Sequence, residues 1–144
     1  MPTLYVAGPV LRRMSREERE FSLYSIYQGI VAVCREQGWD CQIPELEEEL
    51  DKLSPREFVS EITRRLSKAS AAVIVLTSGD QSVPVEATLT VSMGIPQTIA
   101  LYRMREAPRM LVGLPNVTAV VNIDSSEDLL AVIRQMIRFH SFSV

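Results

Sequence analysis

The chain has 144 residues, 47% of them hydrophobic, and its 18 acidic and 15 basic residues give a net charge of −3. This length and composition predict one globular domain spanning residues 1–144 and exclude wholesale disorder. The acidic balance argues against a nucleic-acid partner, and the sequence shows neither a bilayer-length apolar run nor a signal peptide, so no membrane partner is expected.

The first half of the chain alternates short β-type segments with helical patterns. The first predicted strand is Thr3–Ala7, which Gly8 and Pro9 close. A capping box that begins at Ser15 predicts a helix ending at Gly38, and a short second strand is predicted at residues 40–43.

The second half continues this alternation. A capping box at Ser54, followed by Pro55 at the first helical position, predicts a helix that leads to an all-apolar strand at residues 71–76. The remaining predicted elements are a helix at 85–93, strands at 97–102 and 117–123, and a last helix from Ser125. The order predicts a single doubly wound, flavodoxin-like α/β domain, with a five-stranded, mainly parallel sheet and helices on both faces.

The ligand crevice of such a sheet lies beyond the carboxyl ends of its strands. Three predicted loops fall there: residues 8–14, 78–84 and 102–108. The middle loop and the helix start behind it combine two hydroxyls with two carboxylates: Ser78, Asp80, Ser82 and Glu86. A helix amino terminus also attracts anions, so this loop is the strongest candidate for a functional site.

Two segments carry a resemblance to a known family. Residues 4–9, LYVAGP, are similar to the opening strand and turn of the nucleoside 2-deoxyribosyltransferase superfamily, which includes nucleotide N-glycoside hydrolases. Residues 71–101, with Asp80, Glu86 and the later Gly-Ile-Pro at 94–96, resemble its central strand, loop, helix and strand.

The resemblance implies cleavage or transfer of the N-glycosidic bond of a nucleoside or nucleoside 5′-monophosphate. In this family a carboxylate attacks C1′ through an oxocarbenium-like transition state, and water or a second base resolves the glycosyl-enzyme ester. Glu86 matches the nucleophile, and Tyr5 matches a phenol that holds it. Asp80 matches an acid that contacts the sugar hydroxyls or helps to protonate the base.

The resemblance also implies a grip on the 5′-phosphate by loop serines and by an arginine after the first strand. The substrate-binding candidates are therefore Gly8, Pro9, Arg12, Arg13, Ser78 and Ser82. It implies a small-molecule partner and a homo-oligomer as well. The sequence contains no metal-ligand cluster, P-loop or Gly-x-Gly-x-x-Gly motif, so we expect no metal and no cofactor.

Several residues depart from the family pattern. Val83 and Pro84 stand where small residues are usual, and Ile62, with Glu61 beside it, stands where the family carries an acid aimed at the departing base. These departures raise the alternative of a catalytically inactive nucleotide-binding or regulatory protein. A third possibility is an interaction module whose crevice is vestigial, and a glycosidase acting on NAD is also conceivable.

Each candidate also has a structural interpretation. Glu86 can simply favour the helix dipole, Asp80 can be an ordinary turn residue, and Ser82 can be a cap. Tyr5 can pack in the core with its hydroxyl bonded to the backbone, and the two arginines can lie on the surface.

The remaining signals concern the cellular setting and assembly. Cys34 and Cys41 are interpreted as reduced, packed thiols of a cytoplasmic protein. Trp39 is interpreted as a packing anchor, and the apolar segment at residues 139–144 suggests contact across a subunit boundary.

Overall fold

The structure is a computed structural model, and it describes residues 1–8, 23–44, 47–77, 82–104 and 106–142. Its strands are β1 (Thr3–Ala7), β2 (Asp40–Gln42), β3 (Ala71–Leu76), β4 (Gln97–Tyr102) and β5 (Val117–Ile123). They form one sheet in the order β2-β1-β3-β4-β5, and each neighbouring pair is parallel. The predicted flavodoxin-like α/β sheet is therefore confirmed.

The helices connect and cover these strands. They are α1 (Leu23–Glu36), α2 (Pro55–Ser67), α3 (Ser82–Met93), α4 (Arg109–Val112) and α5 (Ser126–Phe142), and a 3-10 turn lies at Glu48–Lys52. None of the helices in the described part of the chain is both long and apolar enough to cross a bilayer.

Alternate residues of the central strands bury opposite faces of the sheet. Leu4 and Val6 of β1 pack with side chains of α1 and α5, whereas Tyr5 and Ala7 pack with side chains of α2 and α3. All six residues of β3 are buried, which explains why this strand is apolar at every position. The two clusters make the core, and each fully buried aliphatic side chain stabilises it by about 1.5–3 kcal/mol.

Helix α2 begins as the sequence predicts. The Ser54 Oγ accepts a hydrogen bond from the Glu57 N–H at 3.2 Å, and the Ser54 N–H donates to Glu57 Oε1 at 3.1 Å. These bonds to Ser54 also hold the pKa of Glu57 below its ordinary value. Pro55 occupies the first helical position, where a missing N–H costs no hydrogen bond, so both halves of the predicted capping box are present.

We expect Ser54→Ala to lower the free energy of unfolding by about 1 kcal/mol, because the Glu57 N–H at the start of α2 loses the Ser54 Oγ as its acceptor. Ser60→Ala, at an exposed position inside the same helix, is the matched control, and it is expected to change stability by less than about 0.5 kcal/mol. Urea unfolding of the three proteins measures the difference. Equal midpoints for both variants would show that the capping box contributes nothing.

The predicted start of α3 is wrong by three residues. The sequence predicts a helix over residues 85–93, but α3 begins at Ser82 and includes Pro84 as its third residue. Proline is tolerated there because the first N–H groups of a helix have no partner inside the helix. Glu86 is consequently the fifth residue of α3 and not the second, three residues further into the helix than expected.

Smaller differences occur elsewhere. Strand β2 ends at Gln42 instead of residue 43, and the short helix α4 lies between β4 and β5, where the sequence analysis names no helix. The apolar segment near the carboxyl terminus is helical through Phe142, because α5 continues past the residues that face the core. Trp39 is buried in the α1–α5 cluster, as its interpretation as a packing anchor requires.

Candidate active site

The candidate crevice lies where the strand order of the sheet reverses. Strand β1 pairs with β2 on one side and with β3 on the other, so the chain leaves β1 and β3 in opposite directions along the sheet. Ligands of such sheets bind at this point, outside the carboxyl ends of the strands. Gly8 follows β1 at this edge, and α3 begins shortly after the end of β3.

Two residues that are 81 positions apart in the chain meet beside this edge. The Tyr5 hydroxyl donates a hydrogen bond of 2.6 Å to Glu86 Oε2, and the contact is buried. Tyr5 is 0% exposed and Glu86 is 7% exposed. A carboxylate this far from water needs a donor, and a short bond from a rigid phenol fixes the direction in which it points.

Among the described residues, apolar side chains pack around this pair. Ile62 of α2 is 2% exposed and belongs to the same cluster as Tyr5, together with Val83 and Ala87 of α3. The Val83 side chain is fully buried in this core. Charges interact more strongly in such a low-dielectric environment than in water, so the contact between Tyr5 and Glu86 carries more energy than an exposed one would.

Glu61, the acid next to Ile62, is engaged in ion pairs along α2. It accepts hydrogen bonds from Arg64 Nη2 at 2.6 Å and from Arg65 Nε at 2.9 Å. These bonds, first from Arg64 and then from Arg65, lower the pKa of Glu61 to about 2. Arg65 also pairs with Glu47, so these side chains connect α2 to the segment that follows β2. The two arginines therefore hold the Glu61 carboxylate along α2 and favour its ionised form.

The Glu61 ion pairs predict a pH dependence of stability. Because folding lowers the pKa of Glu61 from 4.5 to about 2, its stabilisation is present above the unfolded value and is lost as the pH falls from about 4.5 towards 2. We expect the parent to lose more stability than Glu61→Gln between pH 6 and pH 3, in urea unfolding. Equal losses in parent and variant would show that the ion pairs do not persist in solution.

Gly8 is a glycine for a reason that the sequence did not reveal. A Cβ built at Gly8 would lie 2.1 Å from the hydroxyl oxygen of Tyr27, which is fully buried on α1. The backbone of Gly8 does not have a positive φ, so its conformation alone would accept alanine. Tyr27, Ile30 and Cys34 lie at helical spacing and are all buried, and this spacing is the sequence signal that places Tyr27 in the core.

A second unexpected residue follows the end of β4. Arg103 has a φ of 52° and is, within the described ranges, the one non-glycine residue with a positive φ. Its N–H donates to the Ile123 carbonyl at 3.3 Å, and its guanidinium carbon lies 5.4 Å from the centre of the Tyr102 ring. A non-glycine residue in the left-handed backbone region is strained. Arg103 also adds a positive charge to the carboxyl edge of the sheet.

The structure brings together part of the predicted site. Tyr5, Gly8 and Glu86 lie within the described residues, at or beside the carboxyl end of β1. Ser82 begins α3, but its side chain does not belong to the part of the chain that the structure describes. The other predicted site residues also lie outside the described ranges: Pro9, Arg12, Arg13, Ser78 and Asp80. Over the residues described, no group of three or more His, Cys, Asp or Glu side chains could hold a metal ion.

Comparisons with known proteins give matches at the level of structure alone. No family model and no curated protein matches the chain. A conserved protein from Enterococcus faecalis V583 superposes with a TM-score of 0.70 at 19% identity, covering 94% of this chain and 99% of that one. The CMP N-glycosidase BcmB of Clostridium botulinum gives 0.67 at 12% identity, covering 93% and 98%.

A third solved structure, a 2-deoxyribosyltransferase from Bacillus psychrosaccharolyticus, gives a TM-score of 0.58 at 15% identity, covering 91% of this chain and 95% of that one. In all three cases nearly the whole of both chains superposes. The similarity is therefore one of complete fold, with a strongly diverged sequence.

Proposed function

We propose that this chain, which has the nucleoside 2-deoxyribosyltransferase-like fold, cleaves or transfers the N-glycosidic bond of a nucleoside or nucleoside 5′-monophosphate, with Glu86 as nucleophile. The resemblance predicted from the two sequence segments is confirmed for the fold. The observation that carries the proposal is the buried Glu86 carboxylate, held by the Tyr5 hydroxyl at 2.6 Å beside the reversal point of the sheet.

The proposed reaction has two displacements at C1′ of the sugar. First, a Glu86 oxygen forms a bond to C1′ while the bond from C1′ to the base breaks, and the base leaves with the electron pair and takes up a proton. Second, water or another base attacks C1′, the ester bond breaks, and Glu86 returns as a carboxylate. Both transition states carry positive charge on the sugar ring, which a buried carboxylate stabilises.

Tyr5 supports both displacements in this proposal. Its hydrogen bond to Oε2 orients the carboxylate, and a donor at that oxygen favours the charged form over the protonated one. The same donor stabilises the carboxylate that leaves C1′ in the second step. Tyr5 is therefore assigned as the residue that keeps Glu86 ionised and correctly aimed.

The remaining roles rest on the family resemblance and on chain position. We assign proton transfer to the base to Asp80, because Ile62 is apolar and Glu61 is paired with arginines. We assign the 5′-phosphate to the loop serines Ser78 and Ser82 and to Arg12 or Arg13, which follow Gly8 and Pro9 in the sequence. The similarity to a CMP N-glycosidase supports a nucleotide substrate.

A second candidate is a catalytically inactive nucleotide-binding protein. The observation that favours it is the buried Ile62, at the position where the family carries an acid. This candidate predicts a rise in Tm with a nucleotide at millimolar concentration and no released base. The absence of a Tm shift across a nucleotide panel would remove it.

The proposal includes a cytoplasmic homo-oligomer. Free thiols at Cys34 and Cys41 are compatible with a reducing compartment, and Phe139 of α5 exposes 63% of its surface, as a residue at a subunit boundary would. Sedimentation of the parent and of Phe139→Ser tests the assembly. Identical sedimentation of the two would exclude Phe139 from the boundary.

The experiment that tests the activity is chromatographic detection of free base after incubation with a panel of nucleosides and 5′-monophosphates. Free sugar or sugar phosphate as the second product identifies hydrolysis, whereas a new nucleoside formed with an added base identifies transfer. No base from any member of the panel, with the protein folded, would contradict the proposed activity.

A further inference from the structure

Cys34 and Cys41, the two cysteines of the chain, lie where α1 packs on the sheet. Cys34 is in the last turn of α1 and is fully buried. Cys41 is the middle residue of β2; it is half-buried and packs against the cluster that contains Cys34. It is in register with Leu4 of β1, whose side chain belongs to the same cluster. Paired residues of neighbouring strands point to the same face, so both thiols lie between α1 and the sheet.

A tight turn after α1 holds the two cysteines in this arrangement. The Cys34 carbonyl accepts the Trp39 N–H at 2.8 Å, and the Arg35 carbonyl accepts the Gly38 N–H at 3.2 Å. These bonds, with Gly38 at a φ of 74°, form the Schellman motif that ends a helix. Trp39 is buried in the same cluster and leads directly into β2. The turn therefore brings Cys41 back beside Cys34.

The two thiols are joined by a hydrogen bond. The Cys41 S–H donates to the Cys34 sulfur, and this bond lowers the pKa of Cys34 and raises the pKa of Cys41. The first proton of the pair therefore leaves more readily than that of an ordinary thiol. The second proton remains in the bond between the sulfurs, from which it can pass to Cys34 when Cys41 reacts.

One of the two sulfurs is within reach of a small solute. Cys41 lines a cavity of about 330 Å³, whose walls also include Val31 and Arg35 of α1 and Asp40 of β2. Cys34, in contrast, is 0% exposed. A reagent that enters the cavity therefore meets Cys41 first, with Cys34 directly behind it.

We propose that Cys34 and Cys41 form a redox-active dithiol, which a peroxide converts into a disulfide within the chain. In the first step the Cys41 sulfur bonds to one oxygen of hydrogen peroxide, the O–O bond breaks, and the other oxygen leaves as water, so that Cys41 becomes a sulfenic acid. In the second step the Cys34 sulfur bonds to the Cys41 sulfur, the S–O bond breaks, and that oxygen leaves as a second water. The two thiols lose two protons and two electrons, and the peroxide is reduced. Neither thiol takes part in the proposed reaction at Glu86.

The disulfide requires only a small movement of the chain. The sulfurs have to approach from hydrogen-bond contact to about 2.05 Å. Strand β2 has three residues and stands at the end of the strand order, where it pairs with β1. It can move towards α1 without displacing the central strands β3 and β4.

The test treats the folded parent with hydrogen peroxide, removes the peroxide, unfolds the chain in urea and labels the remaining thiols with iodoacetamide. Trypsin cuts after Arg35, between the two cysteines, so the peptides that carry them stay together only when a disulfide joins them. We expect these two peptides to be joined, with two hydrogen atoms lost and no label on either cysteine. Dithiothreitol is expected to restore both thiols.

Cys34→Ala and Cys41→Ala are matched controls, because each keeps one thiol. In Cys34→Ala we expect peroxide to convert Cys41 to a sulfenic acid, which dimedone traps. In Cys41→Ala we expect Cys34 to stay reduced under the same conditions, because it is fully buried. Equal trapping in the two variants would overturn Cys41 as the first sulfur to react. The result with the parent decides on the disulfide itself even if a variant does not fold.

Several results with the parent would overturn the proposal. Label on both cysteines after peroxide treatment is one of them, and oxidation of Cys41 to a sulfinic acid with Cys34 still labelled is another. A disulfide that joins two chains through Cys41 would also overturn it. So would a disulfide that forms only when peroxide is added to the chain unfolded in urea.

Discussion

Glu86→Gln is expected to keep the fold and to lower kcat/KM for base release by about 10⁴-fold or more, the scale seen when a nucleophile is removed. The amide has the shape of the carboxylate, and its carbonyl oxygen can still accept the hydrogen bond from Tyr5. An amide oxygen, however, does not attack C1′ to give a stable ester. Because the variant also removes a buried charge, we expect its Tm to equal or exceed that of the parent.

Glu61→Gln is the matched control for this variant. It makes the same chemical change on α2, at a carboxylate that is bound by Arg64 and Arg65. We expect it to release base within about twofold of the parental rate, because Glu61 has no part in the proposed reaction. Parental activity in Glu86→Gln, measured beside this control, would exclude Glu86 as the nucleophile.

Tyr5→Phe is expected to have the second largest effect, a loss of about 10- to 100-fold in kcat/KM. This range corresponds to a hydrogen bond to a charged group, which contributes about 1.5–3 kcal/mol. The variant leaves the buried Glu86 carboxylate without the Tyr5 donor at 2.6 Å. The carboxylate is then less precisely aimed, and its charged form is less stable.

The pH profile of Tyr5→Phe separates this role from simple packing. The Tyr5 hydroxyl donates to Glu86 and so favours the ionised carboxylate. Without this donor Glu86 takes up a proton at higher pH, and the acid limb of the kcat/KM profile shifts to higher pH. A phenol that only fills space would lower the whole profile without moving the limb. Rates of base release between pH 4 and pH 8 decide between the two, and an unmoved limb would contradict the assigned role.

Local patterns were sufficient to predict most of the sheet. The six apolar residues of β3 mark a strand buried on both faces, and the capping box at Ser54 marks the start of α2 to the residue. The alternation of strands and helices then leaves few arrangements open, because parallel strands need a crossover helix between them. The carboxyl edge of the sheet could therefore be named as the candidate site without knowledge of any contact.

The contacts within the site follow from tertiary structure instead. Tyr5 and Glu86 are 81 residues apart, and no periodicity connects them; only the family resemblance placed them together. Gly8 leaves no room for a Cβ because of Tyr27, a residue on another element, and no local pattern connects the two. Pro84 misled the prediction of α3 because a proline at the third helical position has the same local signature as one that ends a loop.

The most direct test of the central claim is to trap the glycosyl-enzyme ester on Glu86. A nucleoside with fluorine at C2′ of the sugar destabilises the oxocarbenium-like transition states and slows the second displacement, so the ester accumulates. We expect the intact mass to rise by that of the fluorinated sugar unit, with the added mass on the peptide that contains Glu86 and absent from Glu86→Gln. Release of base by the parent with no adduct, or with an adduct on another residue, would contradict Glu86 as the nucleophile.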